Sequence, residues 1–285
     1  MKTIVIPTDF SPNAENAIKY AFEMNRVLKA EIQLFHSYVL PVYATDIPVT
    51  TPDMAGLRHE SQKALQKEKA KMERIFPDIH SRVHLSTSAG FPEEEIPAFA
   101  EKKKAGLVVM GTKGATGLKE VIFGTNTANV IGKLKCPLLA IPEQAEFRGL
   151  NKIVFATNYA ENDTENISVV IDFARHFDAE VVLLHIASSD SSLPFEYNSI
   201  ETLGQRMRES NHYEKISYKL LENTDIEEGI NLYVDEIKAD IVALTNRPRS
   251  LFRKLFDRSL SKKMAFHSRI PLLVFHVDEK GNFLQ

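Results

Sequence analysis

The chain repeats itself. Shifted by 149 positions, residues 2–37 lie without a gap on residues 151–186. Ile4-Val5 falls on Ile153-Val154, Thr8 on Thr157, Asn13 on Asn162 and Ile18 on Ile167. Ala30-Glu31 falls on Ala179-Glu180, Leu34 on Leu183 and His36 on His185. A second shift, of 134, aligns Ala105 with Ala239, Val108 with Val242, and Pro137-Leu138-Leu139 with Pro271-Leu272-Leu273. The shift shrinks because the second copy is shorter in its middle. A chain of 285 residues already suggests two domains at roughly 150 residues each. The repeat makes them two units of one plan, expected at 1–145 and 150–280. Polar residues Glu143–Glu146 and the break at Arg148-Gly149 separate them.

Within the first copy, apolar β-branched runs alternate with helical stripes. Thr3–Pro7 reads as a buried strand, and Ser11-Pro12 as a helix start, with Ser as N-cap and Pro in the first turn. Ala14, Ala17, Ile18, Ala21, Phe22 and Leu28 then mark one helix face. Further strands are expected at Glu31–His36, Arg82–Thr87, Gly106–Met110 and Pro137–Ile141, and helices at Leu57–Phe76, Pro92–Lys104 and Glu120–Leu134. Tyr38–Gly56, with three prolines, reads as a long loop. The second copy repeats the strands near Lys152–Ala156, Glu180–Ile186, Lys215–Leu221, Asp240–Leu244 and Pro271–Phe275. The expected fold is α/β: two tandem doubly wound domains, each a five-stranded parallel sheet flanked by helices.

Composition removes several function classes. One Cys excludes an intramolecular disulfide scaffold and the zinc frameworks that need two or more thiolates. A net charge of −3 argues against a general nucleic-acid binder. No apolar run approaches the roughly 18 residues of a membrane span, and the short apolar start meets Pro7 and Asp9 at once, so no signal peptide is expected and the cytoplasm is the default location.

In parallel sheets of this kind, ligands bind outside the carboxyl ends of the strands. Pro7-Thr8-Asp9 ends the first strand, and Met110-Gly111-Thr112-Lys113-Gly114 follows the fourth. The glycine-bearing loop continues to Gly124-Thr125-Asn126, which opens a helix. Glycines let backbone N–H groups approach phosphate oxygens, and Thr125 suits an N-cap with free N–H groups behind it. Asp9 can accept hydrogen bonds from ribose hydroxyls, and Lys113 adds positive charge. Two other motifs do not fit. After Gly106 and Gly111 comes Thr112-Lys113 where a P-loop needs Lys-Thr, and the spacing Gly111-x2-Gly114-x2-Gly117 is no dinucleotide fingerprint.

The spacing Gly111-x2-Gly114-x9-Gly124-Thr125 resembles the ATP-binding signature of universal stress proteins, G-x2-G-x9-G-(S/T). Residues 6–11, His36-Ser37 and the closing Cys136–Pro142 resemble that family too, and the likeness spans nearly the whole chain as two tandem copies. It implies an adenine nucleotide α-hydrolase-like fold and binding of ATP, with Mg. It also implies roles for residues. Asp9, after Pro7 and Thr8, would lie by adenine and ribose. Ser37 and Met110-Gly111 would line the same pocket. Gly114, Gly124, Thr125 and Asn126 would hold phosphates. Glycines at turns are otherwise an ordinary structural device; the full spacing with Asp9 is what points to a ligand.

The second copy lacks this set. Gly111 becomes Thr245, Gly114 becomes Pro248, Gly124 becomes Arg258 and Asp9 becomes Asn158, with Ser259 in the place of Thr125. Pro248 removes a backbone donor. No nucleotide is expected there. The basic stretch 247–263 reads either as a solvated helix face or as an anion-docking surface. His36 and His185 end equivalent strands, which suggests a structural hydrogen bond. His80 and His84 lack helical ligand spacing, and Cys136 reads as inert. No nucleophile–base pair stands out.

The leading expectation is a nucleotide-regulated protein without significant turnover, its second copy a built-in dimer partner. By the resemblance, Leu138–Ile141 and Leu272–Phe275 would pair. A protein partner is expected but not identified, and a homodimer is open. A slow ATP hydrolase or adenylate-transferring enzyme, and a nucleotide-free interaction protein with vestigial pockets, are the alternatives.

Overall fold

The computed structural model describes residues 2–39, 54–79, 82–112, 125–159, 163–187, 192–246 and 270–276. Its first half contains β1 (Thr3–Pro7), α1 (Pro12–Leu28), β2 (Glu31–Tyr38), α2 (Met54–Ile75), β3 (Val83–Ala89), α3 (Pro92–Lys102), β4 (Leu107–Gly111), α4 (Thr125–Ile131) and β5 (Leu138–Ile141). The second half contains β6 (Lys152–Ala156), α5 (Asp163–Arg175), β7 (Glu180–Ala187), α6 (Leu193–Asn211), β8 (Ile216–Glu222), α7 (Ile226–Ile237), β9 (Ile241–Asn246) and β10 (Leu272–His276).

α1 forms as its sequence indicates. The Ser11 side chain accepts from Ala14 N–H, Pro12 occupies the first turn, and Lys29 ends the helix in the left-handed region. All six residues of the apolar stripe are buried. α2 starts at Met54, three residues inside the stretch expected as loop. Of the expected helix at Glu120–Leu134, α4 covers Thr125–Ile131, and residues 113–124 lie outside the described residues.

The ten strands make one sheet, in the order β3-β2-β1-β4-β5-β10-β9-β6-β7-β8. Each half contributes five mutually parallel strands. The halves join where β5 pairs antiparallel with β10, Leu139 opposite Leu273. The strands alternate between two buried faces. Ile4, Ile6 and Val109 belong to the buried cluster that includes residues of α1, α2, α5 and α6, whereas Val5, Val108 and Met110 belong to the cluster that includes residues of α3, α4 and α7. Double-sided burial is why these strands read as continuous apolar runs. Phe22, Phe35, Phe155 and Phe275 are fully buried, each side chain contributing about 1.5–3 kcal/mol relative to exposure.

The connection between halves is tied down. Asn16 Nδ2 donates to the carbonyls of Pro142 at 3.0 Å and Ala145 at 2.9 Å. Phe147 meets Tyr20 edge-on at 5.3 Å and Phe177 at 6.0 Å. Gly149 turns the chain at φ +102°, a conformation that disfavours any side chain.

Candidate functional site

In the first half the chain winds from β1 to β2 and β3, then returns across β1 to β4 and β5. The order therefore reverses between β1 and β4, and the carboxyl ends of these strands flank a crevice of the kind that holds ligands in such sheets. Pro7, Thr8, Asp9, Ser37, Met110 and Gly111 all fall at this edge, because β1, β2 and β4 are parallel. Pro7, Thr8, Met110 and Gly111 are buried, Ser37 is half-buried and Asp9 is exposed.

The turn after β1 is closed by local hydrogen bonds. Thr8 Oγ1 accepts from Phe10 N–H at 3.0 Å, and Asp9 Oδ1 accepts from Ser11 N–H at 3.0 Å. Phe10 sits at φ 62° and lays its ring 4.5 Å from that of His36. His36 Nδ1 lies 2.7 Å from the Thr8 carbonyl. A carbonyl only accepts, so Nδ1 carries the proton. The side chain of β2 thereby fixes the loop that carries Asp9.

On the other wall, Gly111 ends β4. A Cβ there would meet Asn13 Oδ1 at 1.9 Å, so the Asn13 amide fills the space that glycine leaves open. Thr127 Oγ1 donates to the Gly111 carbonyl at 3.0 Å, pinning the start of α4 to the end of β4. That bond brings Thr125 and Asn126, both exposed, to the same edge; Thr125 is the first residue of α4. Lys113, Gly114 and Gly124 lie outside the described residues, as do His80 and the basic stretch 247–263.

The second half keeps the scaffold and changes the crevice. Tyr159 N–H bonds Thr157 Oγ1 at 3.0 Å, Tyr159 sits at φ 61°, and its ring lies 4.3 Å from His185. His185 Nδ1 lies 2.8 Å from the Thr157 carbonyl, matching the His36–Thr8 bond. Here α6 adds a latch: Tyr159 Oη donates to the Glu196 carbonyl at 3.1 Å, and His185 Nε2 is 3.4 Å from Glu196 Oε2. Burial, then the nearby Glu196, holds the Tyr159 hydroxyl well above the usual phenol range.

Where the first half has Gly111, Ala14 and Ala17, the second has Thr245, Asp163 and Asn166. These three are joined. Asp163 accepts from Thr157 Oγ1 at 2.7 Å and from Thr245 Oγ1 at 3.0 Å, while Asn166 Nδ2 donates to Thr245 Oγ1 at 2.7 Å. All four residues are at most 3% exposed. Where the first half has a glycine and two alanines, the second half has a hydrogen-bonded plug of buried polar side chains.

Elsewhere, burial pushes the Cys136 thiol up to about 12, as expected of an inert cysteine. Among the described residues no group of three or more His, Cys, Asp or Glu could hold a metal ion, and no helix is long and apolar enough to cross a membrane.

The universal stress protein family model matches twice, over residues 1–142 and 149–276. The chain belongs to the universal stress protein family. A universal stress protein of Methanocaldococcus jannaschii is 36% identical over 149 residues, covering 49% of this chain and 81% of that protein. A second from the same organism is 32% identical over 152 residues, covering 49% and 94%. Among solved structures, a universal stress protein from Archaeoglobus fulgidus superimposes with a TM-score of 0.72 over 95% of this chain and 97% of that one, at 15% identity. That likeness establishes the tandem α/β fold.

Three features of this universal stress protein escaped sequence reasoning. The Asp163–Asn166–Thr245 plug was signalled by two polar residues standing in an otherwise apolar helix stripe, at the positions of Ala14 and Ala17. The Phe10–His36 and Tyr159–His185 contacts were signalled by the equal spacing of 28 residues between Thr8 and His36 and between Thr157 and His185. The packing of Asn13 over Gly111 had no such signal.

Proposed function

We propose that this universal stress protein binds ATP, with Mg, in the crevice of its first copy and uses occupancy to bias binding of a protein partner in the cytoplasm. The units are residues 1–145 and 150–280, the second acting as a built-in dimer partner without a nucleotide. The observation that carries the reading is the contrast between equivalent edges. The first copy retains Gly111-x2-Gly114-x9-Gly124-Thr125 beside Asp9. The second places Thr245, Pro248 and Arg258 at those positions and closes its edge with buried side chains. Random drift would erode both sets alike.

The division of labour follows from chemistry. The exposed carboxylate of Asp9 accepts from ribose hydroxyls, held in place by the Thr8–Phe10–His36 turn. Pro7, Thr8, Ser37, Met110 and Gly111 form the floor and walls. Gly114, Gly124, Thr125 and Asn126 supply backbone and hydroxyl donors to phosphates, and Lys113 supplies charge. Mg travels with the phosphates, since no protein cluster is called for.

Denaturing freshly purified protein and separating the released small molecules by ion exchange tests this reading. Release of an adenine nucleotide, or calorimetric binding of ATP with Mg, is the expected result. Absence of both release and binding contradicts it. Steady turnover above that of a Gly124→Val control would replace the regulatory reading with an enzymatic one.

A further inference from the structure

Among the described residues, two side chains have both polar atoms buried without a hydrogen-bond partner: Asn13 and Glu227. Glu227 belongs to the second copy. Asn13 belongs to the first turn of α1, is 5% exposed, and stands against Gly111 at the switch point between β1 and β4. Native proteins pair nearly all buried amides, so an amide with neither end satisfied needs a reason. Sites of ligand contact are where such costs are retained.

The surroundings narrow the reason. Polar side chains at this edge are already committed to backbone groups: Ser11 caps α1, Thr8 holds Phe10, and Thr127 holds Gly111. The polar side chains at the matching edge of the second copy instead bond among themselves in the Asp163–Asn166–Thr245 plug. The amide with neither end paired therefore stands beside the edge that keeps its glycine; at the edge that has lost it, the Asn166 amide donates to Thr245 and leaves only its Oδ1 unpaired.

We infer that Asn13 is a ligand-contacting residue of the first crevice, its amide turning from Gly111 to hydrogen-bond the bound adenine nucleotide. This rests on the nucleotide reading above and adds a contact that the glycine motif does not contain. The amide suits such a ligand because Nδ2 donates to phosphate or ribose oxygens and Oδ1 accepts from ribose hydroxyls. Gly111 gives the amide its resting place, since a Cβ there would lie 1.9 Å from Asn13 Oδ1.

The test is Asn13→Leu, which preserves shape and removes both polar atoms, with Asn13→Asp as a second variant that preserves shape but cannot donate. Calorimetric affinity for ATP with Mg and the ligand-free melting temperature are measured on the full chain. Asn13→Leu is expected to weaken ATP binding about three- to tenfold while the ligand-free melting temperature holds or rises by about 2–4 °C. Asn13→Asp is expected to weaken ATP further, because it sets a carboxylate against an anion. Unchanged affinity in both variants overturns the inference, and so does weaker binding by Asn13→Leu accompanied by a lower melting temperature of that variant, the mark of a structural amide. If the wild type binds ATP and the variants match it, Asn13 alone was misassigned. A wild type that binds no adenine nucleotide overturns the functional reading and this contact with it.

Discussion

Thr245 donates a hydrogen bond to the buried carboxylate of Asp163 at 3.0 Å, across the gap between the end of β9 and the start of α5. The equivalent pair in the first copy is Gly111 and Ala14, which have nothing to exchange. Two copies of one scaffold thus differ at the place where such sheets hold ligands. Thr245→Gly is expected to leave the second crevice empty of nucleotide, because Asp163 and Asn166 remain. It removes a donor from Asp163 and an acceptor from Asn166, and should cost about 1–3 kcal/mol. Denaturant unfolding reads the cost, and calorimetry reads a stoichiometry still at one per chain.

Gly111→Ala places a methyl 1.9 Å from the resting position of Asn13 Oδ1. Overpacking of this kind costs roughly 1–3 kcal/mol. Adding Asn13→Ala frees that space, so the double variant should be more stable than the two single costs together imply, with a coupling of about 0.5–3 kcal/mol. A double-mutant cycle by urea denaturation checks it; additive costs would mean that the two residues do not share the space.

Glu227 gives the chain a pH signature. Burial, then the nearby Asp225, raises its carboxyl to about 7, and neither oxygen has a partner. The folded chain holds a proton that the unfolded chain, at an ordinary pKa near ~4.3, has released. The stability this contributes is present below about pH 4 and is lost as pH rises towards 7. Glu227→Gln should flatten the dependence and raise stability at pH 8 relative to the wild type, on the order of 1–3 kcal/mol. Denaturant midpoints at pH 5 and pH 8, for both proteins, decide it.

Cys136 should resist thiol reagents in the native state, since burial pushes its thiol up to about 12. Titration with a chromogenic disulfide at pH 8 is expected to modify it only after unfolding. Rapid labelling of the folded chain would show that the strand start opens.

Much of the fold was legible because buried parallel strands and capped helices write themselves locally. Thr3–Pro7 and Lys152–Ala156 fall where their apolar runs ended, and Ser11-Pro12 marked α1 to the residue. The repeat also placed His36 and His185 as equals, and each makes the same backbone bond. What could not be read was contact across elements. Nothing local says that Leu139 will face Leu273 in antiparallel pairing; the family resemblance suggested it. Nor does sequence spacing say that Asn13 will rest on Gly111, nearly a hundred positions away. Of the expected site residues, Lys113, Gly114 and Gly124 lie outside the described residues.

The central claim is that one crevice in this chain takes an adenine nucleotide and its twin does not. Isothermal calorimetry of ATP with Mg against the wild type, Gly114→Val and Thr245→Val tests it most directly. One site per chain is expected in the wild type, none in Gly114→Val, and one unchanged in Thr245→Val. Two sites in the wild type, or equal loss in both variants, would contradict it.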